Sequence, residues 1–137
     1  MFHPSEDLDH EEIRLAKELR QLFELDSQKD LETYLFCAKN LSPESWVMDI
    51  QKMYRAIHTI KGSSITVNAD SISKVATVLE DLLSGLRYLE EIPFLEDGQF
   101  RKILQEGGEI IAGVLSNPEG DVQPKVARIQ ALSLIHI

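Results

Sequence analysis

The stretch YRAIHTIKGSSI, residues 54–65, places a histidine, a lysine and a glycine close together in an otherwise apolar helical pattern. His58 follows the apolar Ile57, and one residue corresponds to about 100° around a helix. We therefore expect its imidazole at the edge of the buried face, partly exposed. Lys61 and Gly62 follow at three and four residues, so the three residues share one surface patch. An exposed imidazole can act as a nucleophile, and the lysine charge suits a phosphoryl group on it or an acidic site on a partner.

Gly62 calls for an explanation, because glycine inside a helix costs about 1 kcal/mol relative to alanine. A glycine one turn beyond an exposed histidine removes the side chain that would hold another molecule's backbone away. Tyr54 and Ile65 lie on the same flank, four residues before and seven after His58. The pattern therefore predicts a surface where a partner approaches the imidazole closely, with Gly62, Tyr54 and Ile65 as contact residues.

Glu80 is placed opposite His58 by the symmetry of an antiparallel helix pair. The turn between the two helices is predicted near Asn68 and Ala69, and His58 precedes Ala69 by as many residues as Glu80 follows it. Both residues also come one position after an apolar seam residue. A carboxylate at that level can accept a hydrogen bond from Nδ1–H of the imidazole, which fixes the tautomer and leaves Nε2 free as a nucleophile.

The elements that carry these residues are predicted to be helices, because apolar residues recur every three or four positions and strand patterns are nearly absent. The sequence LSPESW predicts a helix start, with Ser42 as the cap and Pro43 in the first helical position. Asn68 can end this helix, and Asp70 can cap the next one. The two helices carry apolar seams at Trp46, Ile50, Met53, Ile57, Ile60, Ser64 and Val67, and at Ile72, Val75, Leu79, Leu82, Leu86 and Leu89.

The flanking stretches predict further helices. A first helix begins after Pro4-Ser5, and LDSQKDL at 25–31 restarts or kinks it, with Ser27 as a candidate N-cap. After a predicted loop at 90–98, another helix runs from about Asp97 to Asn117. Its EGGEIIAG glycines are interpreted as a packing or kink feature, because no strand precedes them as in a phosphate-binding loop. The first helix presents one apolar side, made of Ile13, Ala16, Leu19, Leu22 and Phe23.

Four or five helices joined by short loops predict an all-α fold, an antiparallel helical bundle. We interpret it as an up-down four-helix bundle with an additional N-terminal helix and a candidate C-terminal helix. We place the domain at residues 1–118 and treat residues 119–137 as a linker or C-terminal tail. The end of this tail, VQPKVARIQALSLIHI, leaves three interpretations open: a C-terminal helix that docks back, the start of a linker to more chain, or appended sequence.

Composition narrows the classes of partner. The chain of 137 residues carries 14 Lys and Arg against 23 Asp and Glu, for a formal net charge of −9. This balance argues against nucleic acid and anionic membranes, which favour basic surfaces. Cys37 is the only cysteine, no apolar run approaches the roughly 20 residues of a membrane span, and the N-terminus lacks a signal-peptide pattern. We therefore expect a cytoplasmic protein.

The motif AIHTIKGSS, residues 56–64, strongly resembles the H-[ST]-I-K-G-[SG] signature of histidine-containing phosphotransfer (HPt) domains. It is most similar to the N-terminal HPt domain of chemotaxis-type (CheA-like) sensor kinases. VATVLEDLLSGLR, residues 75–87, resembles the helix that follows in that family and supplies the glutamate that contacts the histidine. The resemblance is best over about residues 46–90 and extends over about 10–116.

The resemblance implies a role for each matching residue. His58 matches the phosphorylated histidine, and Lys61 matches the lysine that neutralises the phosphoryl group. Gly62 matches the small residue at the receiver-docking surface, and Glu80 the glutamate that orients the ring. Thr77 falls where some chemotaxis kinases carry another histidine. The family implies a phosphorelay domain that is not itself an enzyme and needs no cofactor. A histidine kinase catalytic domain, in cis or in trans, phosphorylates it, and a response-regulator receiver domain takes the phosphoryl group.

Two other classes of function are kept as alternatives. A non-phosphorylated helical adaptor predicts that His58 is buried or walled off. A metal-bound bundle enzyme of the di-iron type needs paired Glu-x-x-His motifs on facing helices. None of the four histidines follows a glutamate by three residues, so the sequence predicts no metal ligands.

Overall fold

Two neighbouring helices with apolar seams form the centre of the protein. The computed structural model describes residues 4–88, 99–117 and 119–134, and these form five α-helices and no β-strand. Each of the first four helices packs against the next, and the fourth returns to the first, which closes a four-helix bundle. The all-α helical bundle predicted from the sequence is confirmed. The helices are α1 (Pro4–Lys39), α2 (Trp46–Thr66), α3 (Asp70–Arg87), α4 (Gln99–Ser116) and α5 (Gln123–Leu134).

The predicted seams of α2 and α3 form most of the core. Every predicted seam residue of α2 is buried except Val67, which is partly buried, and the α3 seam is buried from Ile72 to Leu86. Burying a large apolar side chain stabilises a fold by roughly 1.5–3 kcal/mol, so the two seams hold α2 and α3 in a fixed register. The other helices complete the core with Phe23, Leu31, Tyr34, Ala38, Leu104, Ile111 and Val114.

The tight turn between α2 and α3 is a helix C-cap built on Asn68. Asn68 has φ 58°, in the left-handed region that asparagine enters more readily than most residues. The N–H of Ala69 donates to the carbonyl of Ser64 at 2.7 Å, and that of Asn68 to Ile65 at 3.2 Å, which is a Schellman motif. Asn68 therefore ends α2 as predicted. Asp70 does not cap α3, because Ala69 holds that position and Asp70 is the first helical residue, where its charge suits the helix dipole.

The start of α2 lies three residues later than predicted. Oγ of Ser42 accepts the N–H of Ser45, and Oγ of Ser45 accepts the N–H of Ser42, each at 3.2 Å. The N–H of Ser45 also donates to the carbonyl of Ser42. This hydrogen bond spans three residues, as in a 3₁₀ turn, instead of the four of an α-helix. Ser42 thus caps a preliminary turn that contains Pro43, and the regular helix begins at Trp46.

α1 is one continuous helix of 36 residues. The predicted restart at 25–31 is therefore wrong, and the additional N-terminal helix is an extension of α1 rather than a separate element. Ser27 is buried within the helix instead of capping it, one turn from Phe23 and one turn from Leu31, which are buried as well. Packing of this face against the bundle keeps the helix intact through a stretch whose polar residues locally favour a break.

The N-terminal part of α1 extends past the bundle, because α1 has 36 residues and its partner α2 only 21. Arg20 lines a surface cavity together with Asn68 and Asp70, so α1 lies beside the turn between α2 and α3 at this residue. Ile13 and Leu19 lie beyond it and are 66% and 52% exposed. Of the apolar side predicted for the first helix only Phe23 is buried, and Ala16 and Leu22 are exposed too.

Two glycines allow α4 to approach its neighbours closely. A Cβ added to Gly108 would lie 2.7 Å from Cε1 of Tyr34, and one added to Gly107 would lie 2.9 Å from Cδ1 of Leu79. The Tyr34 hydroxyl donates to the carbonyl of Leu104 at 2.7 Å across the same contact. Gly107 and Gly108 of EGGEIIAG therefore serve helix packing, which is one of the two interpretations given to these glycines above.

The tail forms α5, so the interpretation of a helix that docks back is the one observed for residues 123–134. Ile129 is fully buried in the common core, and Nε of Arg128 donates to Oε1 of Glu106 on α4 at 2.6 Å. The loop predicted at 90–98 and the helix start near Asp97 lie outside the described residues. None of the described helices is long and apolar enough to cross a membrane.

Candidate functional site

His58 on α2 and Glu80 on α3 meet across the groove between these helices. Nδ1 of His58 lies 2.8 Å from Oε2 of Glu80. The His58 side chain is 64% exposed, whereas that of Glu80 is 11% exposed. Ile57 and Leu79, which directly precede them, are fully buried, so the next residue on each helix is turned to the edge of the groove. Both the edge position of His58 and its contact with Glu80 agree with the prediction from spacing.

Lys61 joins this pair from one turn further along α2. Its Nζ donates to Oε1 of Glu80 at 3.2 Å, so each carboxylate oxygen has its own partner. Burial by itself would raise the pKa of Glu80, but the hydrogen bonds from His58 and Lys61 and the nearby positive charge outweigh it. The pKa of Glu80 therefore lies below its ordinary value of 4.5. Glu80 is a carboxylate at neutral pH and can only accept hydrogen bonds.

The ionised Glu80 decides which nitrogen of His58 is free. Because a carboxylate has no hydrogen to donate, Nδ1 carries the hydrogen in this contact. The neutral ring then keeps the lone pair on Nε2, which is the form that attacks an electrophile. The arrangement is thus an exposed imidazole with a fixed tautomer, next to a lysine whose side chain is partly exposed.

Tyr54 and Arg87 extend the site in the other direction along the groove. The Tyr54 ring is stacked on the His58 ring, with the centroids 5.9 Å apart and the planes at 11°. The guanidinium carbon of Arg87 lies 4.1 Å from the centroid of Tyr54. Sequence reasoning missed Arg87, although it lies seven residues after Glu80, two turns along the same flank of α3.

The remaining predicted contact residues are open to solvent. A Cβ added to Gly62 would meet no other atom within 4 Å, and Ile65 is 58% exposed. Together with His58 they form an accessible strip of α2. Oγ1 of Thr77 donates to the carbonyl of Ser73 at 2.7 Å, a bond within its own helix.

The described part of the chain brings together no group of three or more His, Cys, Asp or Glu side chains that could hold a metal ion. His10 lies on the N-terminal part of α1, while His3 and His136 are outside the described residues. Cys37 is a buried free cysteine.

The comparison with protein families agrees with this geometry. The model of the Hpt domain matches residues 18–108, which run from α1 to α4 and include His58, Lys61 and Glu80. No curated protein matches the chain. Hpt domains are phosphotransfer modules rather than catalytic enzymes, and in phosphorelays they interact with kinases and with receiver domains. Because the match covers well over half of its residues, this chain belongs to the Hpt domain family and takes part in phosphorelay signalling.

Proposed function

We propose that His58 is the residue that carries the phosphoryl group. The observation that supports this most strongly is the pairing of an exposed imidazole with a buried, ionised carboxylate on Nδ1, 2.8 Å away. A histidine of that kind offers Nε2 as its only nucleophilic nitrogen. His58 would accept a phosphoryl group from a histidine kinase catalytic domain and pass it to an aspartate of a receiver domain.

Two in-line displacements make up the transfer. In the first, the lone pair of Nε2 attacks the γ-phosphorus of ATP held by the kinase catalytic domain, an N–P bond forms, and the bond to the ADP oxygen breaks. In the second, a carboxylate oxygen of the receiver aspartate attacks the same phosphorus, and the N–P electrons return to Nε2. Glu80 would support the positive charge that the ring carries while the N–P bond exists, because Nδ1–H remains its hydrogen-bond donor.

Lys61 would neutralise part of the phosphoryl charge. Its Nζ is held by Glu80 at 3.2 Å, one turn from His58, and its side chain is 28% exposed. A phosphoryl group on Nε2 offers a second anion to this lysine. Gly62, Tyr54 and Ile65 would form the surface on which the receiver domain docks, since Gly62 leaves open space beside the imidazole and Ile65 offers an exposed apolar side chain.

The kinase catalytic domain can belong to the same polypeptide or to another protein. We favour the chemotaxis (CheA-like) type of system, on the likeness of AIHTIKGSS and VATVLEDLLSGLR to that group. Residues 1–118 would form the phosphotransfer unit, with residues 119–137 as a tail that includes α5. The transfer depends on ATP and receiver domains, so we place it in the cytoplasm.

The alternative of a helical adaptor without phosphorylation is less well supported. That function predicts that His58 is walled off from solvent and that no feature of the site concerns a nucleophile. The 64% exposure of His58 and the fixation of Nδ1 both argue against it.

A chemical donor tests the proposal without a cognate kinase. Phosphoramidate, a small phosphoryl donor, is incubated with the full chain, and the product is followed by the mobility shift in a phosphate-binding gel. We expect one shifted band that is stable in base and labile in acid, as an N–P bond is. His58→Gln should abolish it, whereas His10→Gln, which changes the exposed histidine of α1, should leave it unchanged.

A panel of receiver domains then tests the second transfer, with loss of the shifted band as the readout. Persistence of the acid-labile band in His58→Gln would exclude His58 as the acceptor. A phosphorylated wild-type chain that no receiver of the panel can dephosphorylate would favour the adaptor.

A further inference from the structure

Arg87 is linked to His58 through the ring of Tyr54. Tyr54 lies one turn before His58 on α2 and stacks on it at 5.9 Å, with the ring planes at 11°. The guanidinium of Arg87, on α3, lies over the same tyrosine ring at 4.1 Å. The two distances together place the guanidinium carbon no more than about 10 Å from the centre of the imidazole. A cation within about 6 Å of an aromatic ring is attracted by the ring's electrons.

Arg87 is itself held in place from two sides. Its guanidinium carbon is 5.5 Å from the ring of Tyr88, so it lies near two tyrosine rings at once. It is also the last residue of α3, where a positive charge interacts favourably with the helix dipole. An exposed arginine with these restraints can fix the position of a ring in a neighbouring helix.

The hydrogen bond to Glu80 leaves one motion of the imidazole free. It holds the ring at Nδ1 alone, so the ring plane can still tilt about that contact. A second ring stacked on its face opposes the tilt, provided that this ring is itself fixed. Tyr54 is only partly buried, and Arg87 is the residue of the neighbouring helix that lies over it. His58 is therefore flanked by two links between α2 and α3, Lys61–Glu80 on one side and Tyr54–Arg87 on the other.

We propose that Arg87 is a positioning residue of the phosphotransfer site, which acts by clamping Tyr54 against the imidazole of His58. This inference rests on the proposed function for its consequence, the rate of transfer, but the clamp itself is a property of the unphosphorylated protein. A ring held in one plane presents the Nε2 lone pair in one direction, and in-line attack on phosphorus requires that direction.

The clamp is tested on the full chain by NMR of histidine side chains labelled with ¹³C and ¹⁵N, in which His58→Gln identifies the signals of His58. The stacked tyrosine shifts the ring protons of His58 through its ring current. We expect Arg87→Gln to move these signals toward their position in Tyr54→Leu, where the ring is absent. Arg87→Lys keeps a cation and Tyr54→Phe keeps a ring, so both should resemble the wild type.

The matched control is Arg55→Gln. Arg55 is an exposed arginine on α2, three residues from His58, and lines the cavity between α1 and α2 with Asp30 and Thr33. It should leave the His58 signals unchanged. The rate of phosphorylation by phosphoramidate should fall about two- to fivefold in Arg87→Gln, as the usual strength of an exposed cation–π contact implies, and Arg87→Lys should restore most of it.

Unchanged His58 signals in Arg87→Gln would overturn the clamp, even if the variant melts at a lower temperature, because only a structural role would then remain. The same shift of the His58 signals in Arg55→Gln would also overturn the clamp, since loss of any nearby positive charge would then produce the effect. If the His58 signals of Arg87→Gln shift but its rate of phosphorylation is unchanged, Arg87 has no part in phosphotransfer. Failure of the proposed function looks different: the wild-type chain would not be phosphorylated at all, whatever its NMR spectrum.

Discussion

Nδ1 of His58 lies 2.8 Å from Oε2 of Glu80, although 22 residues separate the two along the chain. Each residue sits in the middle of a helix, directly after a fully buried seam residue. The contact is therefore set by the packing of α2 on α3 and by the short turn at Asn68, not by a mobile loop. A site on rigid elements can hold an imidazole within the narrow range of geometry that group transfer requires.

Replacing Glu80 should slow phosphorylation without unfolding the protein. Glu80→Gln keeps the size and an acceptor oxygen but removes the charge that holds Nδ1–H. A hydrogen bond to a charged group contributes about 1.5–3 kcal/mol, so the initial rate with phosphoramidate should fall roughly ten- to a hundredfold. Glu106→Gln is the matched control, because Glu106 lies on α4 and pairs with Arg128 of α5. Equal rates in Glu80→Gln and the wild type would show that the carboxylate does not act on the ring.

Substitutions of Gly62 should affect helix stability and docking of the receiver domain differently. Gly62→Ala should stabilise the helix by about 0.5–1 kcal/mol, because the added Cβ meets no atom within 4 Å. Gly62→Gln should fold equally well and react normally with phosphoramidate, yet pass its phosphoryl group to a receiver more slowly, since the larger side chain stands where the partner approaches. Gly85 offers the control, as its Cβ would also point into open space. If Gly85→Gln slows the receiver step as much, the docking surface is not where we propose.

An alanine at Gly108 should destabilise the protein, in contrast to an alanine at Gly62. A Cβ there would lie 2.6–2.8 Å from atoms of Leu35 and Tyr34, so Gly108→Ala forces α4 away from α1. Overpacking of this kind usually lowers the free energy of unfolding by about 1–3 kcal/mol. Urea unfolding of Gly108→Ala and the wild type measures this difference. On the same helix, a Cβ at Gly113 would meet only the flexible end of Lys125 at 3.7 Å. Gly113→Ala should therefore be neutral or stabilising, and a loss of stability there equal to that of Gly108→Ala would contradict the packing argument.

Acid should weaken the contribution of Glu80 to stability. Its pKa in the folded protein lies below the ordinary value of 4.5, so the unfolded chain binds the proton first as the pH falls. The stabilisation by Glu80 is then complete above pH 4.5 and is lost as the pH falls through the lower pKa of the folded state. The free energies of unfolding of the wild type and Glu80→Gln are compared from pH 7 to pH 3.5.

The difference between the two proteins should shrink below about pH 4.5. Comparing this pair cancels the contribution of Asp30, whose pKa burial and Asp26 raise, and which therefore responds to acid with the opposite sign. A difference that grows as the pH falls from 4.5 to 3.5 would mean that Glu80 is destabilised by its surroundings rather than stabilised by His58 and Lys61.

The same reasoning from spacing succeeded at the site and failed on α1. Counting residues from the turn at Asn68 placed Glu80 opposite His58, because two regular helices joined by a short turn leave one register that buries both seams. The stretch at 25–31 contains residues that locally favour a helix start, yet Ser27 is buried inside one long helix. Local preferences amount to tenths of a kcal/mol per residue, and burial of the neighbouring apolar side chains outweighs them.

The sequence by itself determined the helical class, the two central seams and the patch of His58, Lys61 and Gly62, because apolar periodicity and helix geometry act over short distances along the chain. Tertiary structure alone decided that α1 is unbroken and longer than its neighbours, that Gly108 is a contact with Tyr34, and that Arg87 lies over the ring of Tyr54. These features depend on which side chain of another helix occupies the adjacent space, and spacing within one segment carries no information about that.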